Sequence, residues 1–127
     1  MKLLLDTNAF IWWDSEQSRL SEIALAAILD PANEVWLSVA SVWEMVIKSQ
    51  LGKLSLRLPL MEIVDQQHAN GIGIQDITLG HVMAVNDLPQ AHKDPFDRLL
   101  AAQAIFEHAE LVSPDPVFTK YPVTLIW

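Results

Sequence analysis

Carboxylates recur in this sequence directly after short apolar runs of the kind that form buried strands. Asp6 follows three leucines, and Asp115 comes shortly after a later apolar run. Glu44 lies about one turn into a predicted helix, and Asp94 and Asp97 open another. Because parallel strands of an open sheet end at a common edge, we expect these acids to meet there.

Carboxylates gathered in a cleft repel one another by several kcal/mol unless a cation neutralises them. Oxygen ligands favour Mg²⁺ or Mn²⁺, and such an ion can bind a phosphodiester, generate hydroxide and stabilise the departing oxygen. The chain has no cysteine, which excludes a disulfide scaffold, a thiolate zinc site and a cysteine nucleophile. Its four histidines lack paired zinc-ligand spacing. The pattern therefore predicts phosphodiester hydrolysis.

Most of these acids also have a purely structural interpretation, as residues that begin helices. Asp6 could cap a helix over 8–13. Asp94 and Asp115 each precede a proline, the typical order for an N-cap and the first helical residue. Asp97 would then be the third helical residue, where the helix dipole favours an acid. From the residues alone, both interpretations stay open.

Glu44 has a structural interpretation of its own. Ser41 and Glu44 have the spacing of a capping box. Glu44 and Lys48 have the spacing of an i,i+4 helix pair, which is worth about 0.2 to 0.5 kcal/mol. Taken by itself, this acid is as consistent with helix stability as with metal binding.

Short apolar runs alternate with helical patterns along the chain. We predict strands at 2–5, 34–38, 72–77, 111–113 and 123–127, and helices at 8–13, 21–29, 40–50, 60–69, 79–86 and 96–108. This order predicts a three-layer α/β fold, with a central parallel sheet of about five strands flanked by helices. With 127 residues and no linker, we expect a single domain over 1–127.

Composition limits the classes of function. The 51% hydrophobic content excludes a disordered chain, and no apolar run approaches the roughly 18 residues that span a bilayer. We therefore expect a soluble cytoplasmic protein that does not contact a membrane. The net charge of −8 and the sequence pI of about 4.7 argue against a simple basic nucleic-acid binder.

Four segments, in this order, resemble the PIN-domain ribonucleases, and within them the VapC-like toxins of type II toxin-antitoxin pairs. They are LLLDTN at 3–8, LSVASVWE at 37–44, DPFDRLLAAQA at 94–104, and LVSPD at 111–115 with YPV at 121–123. The DPFDR segment is the signature of one subgroup. The resemblance covers almost the whole chain.

The resemblance implies a PIN-like fold and a Mg²⁺-dependent (or Mn²⁺-dependent) endoribonuclease. Asp6, Glu44, Asp97 and Asp115 would form its metal site and Asp94 would be a supporting acid. Thr7 and Ser113 match the small hydroxyl residues beside the ligands and are further candidates for contact with the substrate. Such toxins are commonly dimeric and are silenced by a cognate antitoxin protein encoded beside them.

Basic and aromatic residues supply candidate binding surfaces. We expect the RNA substrate to contact Lys48, Lys93 and Arg98, with further positive charge from Lys53 and Arg57. Phe10, Trp12 and Trp13 present more apolar surface than one helix face buries, so we expect them at a homodimer interface or in a groove for the antitoxin. We also expect the inhibitor to direct an Arg or Lys toward the acids.

Other families are less compatible with the sequence. A dehalogenase-type phosphatase needs a second acid at position 8, where this chain has Asn8. A receiver domain needs a phosphoacceptor Asp and a Lys after later strands, whereas Ser38 and Ile77 end two of the candidates. The remaining alternatives are a PIN-fold RNA-processing nuclease without an antitoxin, and a catalytically silent PIN-fold binding module.

Overall fold

Five parallel strands form the central sheet of the computed structural model, which describes residues 1–90 and 93–127. They are β1 (Lys2–Leu5), β2 (Glu34–Ser38), β3 (Gly73–Gln75), β4 (Glu110–Val112) and β5 (Leu125–Ile126), in the order β3-β2-β1-β4-β5. The helices are α1 (Thr7–Ser15), α2 (Glu22–Leu29), α3 (Val39–Gln50), α4 (Leu60–Ala69), α5 (Leu79–Ala84) and α6 (Pro95–Phe106). The predicted fold class is confirmed.

The helices cover the two faces of the sheet unequally. Alternate β1 residues point to opposite faces, so Leu3 and Leu5 pack with α1 to α4, whereas Leu4 packs with α6. Phe10 of α1 and Leu100 of α6 are central to the two cores, and each is 1% exposed. Within the described residues, no helix has the length and apolar composition to cross a bilayer.

The predicted element bounds differ from the structure mainly at the sheet margins. β3 and β5 have three and two paired residues, fewer than the apolar runs at 72–77 and 123–127 suggested, because only part of each run meets a neighbouring strand. β4 begins one residue earlier than predicted. The last helix ends at Phe106 rather than 108, since His108 has a positive φ of 53° and reverses the chain into β4.

The carboxyl ends of β1, β2 and β4 lie side by side. The register pairs Leu5 with Leu37 on one side and with Val112 on the other. The residues that follow these three, Asp6, Ser38 and Ser113, therefore lie along one edge of the sheet. This is the edge at which the sequence predicts the acids to meet.

Candidate metal-dependent active site

Asp6 combines both roles that the sequence left open. It is the N-cap of α1, where its Oδ1 accepts the N–H of Ala9 at 2.7 Å. It also lines a pocket at the carboxyl edge of the sheet, and only 6% of its surface is exposed. The capping hydrogen bond holds the carboxylate at the carboxyl end of β1, so Asp6 caps the helix and lines the pocket at the same time.

Ser113 links Asp6 to the neighbouring loop. Its hydroxyl donates to Oδ2 of Asp6 at 2.5 Å. The Ser113 hydroxyl oxygen in turn accepts the N–H of Asp115 at 3.0 Å. Asp115 in turn caps a short 3-10 helix by accepting the N–H of Val117. Ser113 is 2% exposed, so this bond is shielded from water.

Glu44 reaches the same pocket from α3. Thr7 donates its hydroxyl to Oε1 of Glu44 at 2.5 Å, and Nζ of Lys48 lies 3.1 Å from Oε2. The predicted i,i+4 pair is present. The predicted capping box is wrong, because Ser38 is the N-cap and accepts the N–H of Ala40, which leaves Ser41 inside the helix.

Asp94 and Asp97 lie at the start of α6. Asp94 is the N-cap and accepts the N–H groups of Phe96 and Asp97 through Oδ1, at 2.9 and 3.4 Å. Asp97 is the third helical residue, as its spacing after the proline predicts. Asp94 therefore uses one oxygen to begin the helix that carries Asp97 to the pocket.

The pocket contains every predicted acid. It has a volume of about 140 Å³ and is lined by Asp6, Thr7, Asn8, Glu44, Lys48, Asp94, Asp97 and Asp115. Across 1–90 and 93–127, no three Asp, Glu or His side chains are placed as a ready-made set of metal ligands. Glu44 is turned toward Thr7 and Lys48, so ion binding would require some of these carboxylates to rotate.

The electrostatics of the pocket are dominated by burial of negative charge. Burial raises the pKa of the Asp6 carboxyl from its ordinary 3.8 to about 6. The hydrogen bonds from Ser113 and Ala9 lower it, and the charges of Asp97 and Asp115 raise it again. A pocket that disfavours its own ionised carboxylate favours an added cation.

The predicted substrate-binding cations lie in different surroundings. Lys48 lines the carboxylate pocket and also a larger groove beside it, and Lys53 and Lys93 line that groove. Arg98 does not line the pocket, because its guanidinium donates to the carbonyls of Pro89 and Val85. The expected RNA contact by Arg98 is therefore not supported.

Arg57 is likewise engaged elsewhere. Its guanidinium makes two hydrogen bonds to the carboxylate of Asp14, at 2.8 and 2.7 Å, and these raise the pKa of Arg57. It lies in the segment before α4 and is not among the residues that line the pocket. Its expected contribution of positive charge beside the site is not supported.

The aromatic residues of α1 are less available than predicted. Phe10 is 1% exposed and belongs to the core, so its side chain cannot contact a partner. Trp12 packs against Trp127 and under Arg19, and Trp13 donates its indole N–H to Gln67. Both tryptophans are partly exposed, so of the three residues expected at a partner interface only Trp12 and Trp13 have surface available for one.

A partly buried polar network centred on His81 was not predicted from the sequence. His81 of α5 is fully buried and receives the N–H of Thr78 at Nδ1. Its Nε2 lies 3.2 Å from Glu107, whose other oxygen binds Lys2 at 2.9 Å. The spacing of the histidines could not reveal this network, because Glu107 and Lys2 come from segments distant from His81 in sequence. The network joins α5, α6 and β1 outside the carboxylate pocket.

Comparison with known families agrees with this geometry. A family model described as PIN domain matches residues 3–123. Ribonuclease VapC22 from Mycobacterium tuberculosis is 31% identical over 116 residues, which cover 89% of this chain and 86% of that protein.

Solved structures share the fold. VapBC2 from Rickettsia felis, bound to a DNA fragment from its promoter, has a TM-score of 0.73 at 19% identity, covering 98% of this chain and 97% of that one. VapBC-1 from nontypeable Haemophilus influenzae has a TM-score of 0.66 at 15% identity, covering 98% of this chain and 96% of that one. A toxin-antitoxin complex from Klebsiella pneumoniae has a TM-score of 0.61 at 21% identity, covering 94% of this chain and 92% of that one.

Proposed function

Since the chain belongs to the PIN domain family, we propose that it is an endoribonuclease that hydrolyses RNA phosphodiester bonds with a divalent cation, as the toxin of a toxin-antitoxin pair. The observation that carries the proposal is the pocket in which acids from four segments meet at one sheet edge. The ribonuclease name of the 31% identical relative supports it. We further propose that residues 1–127 form a single PIN domain.

The donor set fits Mg²⁺ or Mn²⁺. All the candidate ligands are carboxylate oxygens, and we propose that Asp6, Glu44, Asp97 and Asp115 hold the ion, with Asp94 in support. When bound there, a divalent cation supplies a water of lowered pKa and stabilises charge on the departing oxygen. The mutual repulsion of Asp6, Asp97 and Asp115 supports the fit.

The neighbouring side chains prepare this donor set. Ser113 fixes one oxygen of Asp6, and the Ala9 N–H fixes the other. Each oxygen retains a second lone pair that can face the pocket. Thr7 orients Glu44, and Lys48 offsets part of its charge. Thr7 and Ser113 are thus positioning residues, whereas the acids would contact the ion.

A protein inhibitor follows from the same proposal. Several structural neighbours are complexes of a toxin with its antitoxin. We propose that the cognate antitoxin directs an arginine or lysine into the carboxylate pocket, where charge-assisted bonds to the acids would replace the cation. Because RNA and a protein inhibitor expressed with this chain both occur in the cytoplasm, we place its action there.

The homodimer belongs to the proposal as well, but on a different surface from the first helix. Four exposed apolar side chains lie on α5 and the end of α6: Leu79, Val82, Met83 and Phe106, with exposures of 77, 50, 54 and 49%. Leu79 is three residues from Val82 and four from Met83, so the three share one helix face. We propose that this α5 patch contacts a second copy.

Two experiments test the function. Purified chain should cleave single-stranded RNA in Mg²⁺ and lose that activity in EDTA, and cleavage that persists in EDTA would contradict the metal site. Co-expression with the neighbouring small open reading frame should yield a complex. Failure to co-purify, or inhibition that survives replacement of every basic residue in the inhibitor tail, would contradict the proposed inhibition.

A further inference from the structure

A larger groove adjoins the carboxylate pocket and differs from it in character. The two cavities share Glu44, Lys48 and Asp94, and the groove has a volume of about 500 Å³. Its other walls are mostly apolar, formed by Ile47, Leu51, Pro95 and Phe96. A ligand that reached the acids could therefore extend directly onto an apolar surface.

The rim of this groove concentrates positive charge. Lys48, Lys53 and Lys93 all line it, together with Glu44 and Asp94. Lys48 is paired with Glu44, so Lys53 and Lys93 supply the positive charge of the rim. Lysines so concentrated on an acidic protein favour an anionic ligand locally. A ligand that carries both phosphates, for the lysines, and flat apolar rings, for the apolar walls, would match this groove.

Phe96 gives the groove an aromatic side chain that is held from two directions. Its backbone N–H donates to Asp94, which fixes its position at the start of α6. Its ring meets Trp43 of α3 edge-on, with centroids 5.2 Å apart and planes at 74°. The indole of Trp43 is itself 58% exposed, so the aromatic pair lies at the surface.

Single-stranded nucleic acid is the ligand whose chemistry matches these features. Proteins bind it by stacking bases on aromatic side chains while cations follow the backbone. A duplex keeps its bases stacked inside and offers no free ring, whereas unpaired RNA can turn a base outward. The Asp and Glu side chains of an acidic peptide would pair with the lysines but carry no ring, whereas every unpaired nucleotide brings a phosphate and a ring together.

We propose that this groove is a base-binding subsite, in which a nucleobase of single-stranded RNA, adjacent to the phosphodiester at the acids, stacks on Phe96 while Lys53 and Lys93 contact the flanking phosphates. The proposal rests on the proposed ribonuclease function and deepens it. It makes Phe96 a determinant of substrate class, selecting unpaired RNA over a duplex.

The test measures binding without cleavage. Fluorescein-labelled RNA of about 12 nucleotides that cannot pair with itself is titrated into the full chain in EDTA. The comparison probe is an abasic ribose-phosphate chain of the same length and charge. The ratio of the two Kd values isolates the contribution of the bases, because the phosphates are the same in both probes.

For the wild type, we expect the base-bearing RNA to bind about 10-fold more tightly than the abasic chain. Phe96→Ala and Phe96→Leu should bring that ratio close to one, and Phe96→Tyr should preserve it. Met61→Ala, which removes an exposed apolar side chain on α4, is the matched control and should change nothing. Lys53→Ala with Lys93→Ala should weaken both probes equally and reduce the salt dependence.

Equal binding of the two probes by the wild type, or a ratio unchanged in Phe96→Leu, would overturn the subsite. Absence of binding to either probe would overturn it too. Failure of the nuclease is seen separately, in the cleavage assay with Mg²⁺, so a chain that binds bases without cutting would refute only the proposed function. Thermal unfolding of each variant shows whether a lost ratio reflects a lost fold.

Discussion

Ser113 donates a hydrogen bond to the buried carboxylate of Asp6 from the loop after the neighbouring strand. The two residues are 107 positions apart in sequence, and the parallel register of β1 and β4 brings them together. The same serine oxygen accepts the backbone N–H of Asp115. A single hydroxyl thus couples two acids of the pocket and offsets part of the cost of burying one of them.

Asp6→Asn should stabilise the metal-free chain at neutral pH. Burial raises the pKa of Asp6 from 3.8 to about 6, so the folded state binds the proton more tightly than the unfolded state. This ionised carboxylate therefore costs stability above pH 6, by up to about 3 kcal/mol, and the cost disappears as the pH falls through 6 toward 4. Asparagine retains the capping ability without the charge.

Urea unfolding in EDTA, at pH 7 and at pH 4, measures this effect. Asp6→Asn should be more stable than the wild type at pH 7, and the difference should shrink at pH 4. Asp65→Asn on the exposed side of α4 is the matched control. A variant less stable than the wild type at pH 7 would mean that the ionised carboxylate, with its hydrogen bonds from Ser113 and Ala9, stabilises the fold, and would contradict the raised pKa.

Mg²⁺ or Mn²⁺ should raise the melting temperature of the wild type. The ion binds the folded pocket and has little affinity for the dispersed acids of the unfolded chain, so a concentration of 100 times Kd adds about 2.7 kcal/mol. Asp6→Asn should lose most of this increase in a thermal unfolding series. An increase of the same size in the variant would place the ion elsewhere on this acidic protein.

Glu107→Gln should destabilise the chain near neutral pH and have little effect in acid. The hydrogen bond from Lys2, and then that from His81, lower the pKa of Glu107 below its ordinary 4.5. The stabilisation is therefore present above pH 4.5 and is lost as the pH falls through the lowered value. Because Glu107 is partly exposed, we expect only about 1 kcal/mol in urea unfolding at pH 7.

The α5 patch should set the oligomeric state. Leu79→Glu with Met83→Glu places two charges on the exposed face of α5 and should convert a dimer to a monomer in light scattering. Ile23→Glu, at a 64% exposed apolar site on α2, is the control and should remain dimeric. A wild-type chain that is monomeric at micromolar concentration would refute the dimer, and a dimeric double variant would refute its location.

The sheet and the acids were predictable because their signals are local. Three leucines before Asp6 indicate a buried strand, and an Asp-Pro pair indicates the start of α6. Pairing across the sheet is not local, so the short extents of β3 and β5 were not predicted. Phe10 was predicted at a partner interface but lies in the core, because its burial depends on which face of α1 meets the sheet.

The substrate side of the site was harder to predict. Arg98 is close in sequence to the acids, but its guanidinium binds backbone carbonyls. Phe96 was part of a recognised segment, yet its place in a groove with Lys53 depends on how α3 and α6 pack. The spacing of residues along the chain shows which side chains carry charge, whereas tertiary packing decides which of them face the same cavity.

The most direct test of the central claim is RNA cleavage by the Asp97→Asn variant beside Asp65→Asn, both in Mg²⁺. Asp97 faces the acids of the pocket from α6, so its replacement should reduce the cleavage rate by at least about 100-fold, while thermal unfolding in EDTA should show that the variant still folds cooperatively. Asp65→Asn should cleave RNA at the wild-type rate. Full activity in Asp97→Asn would contradict the assignment of this pocket as the catalytic centre.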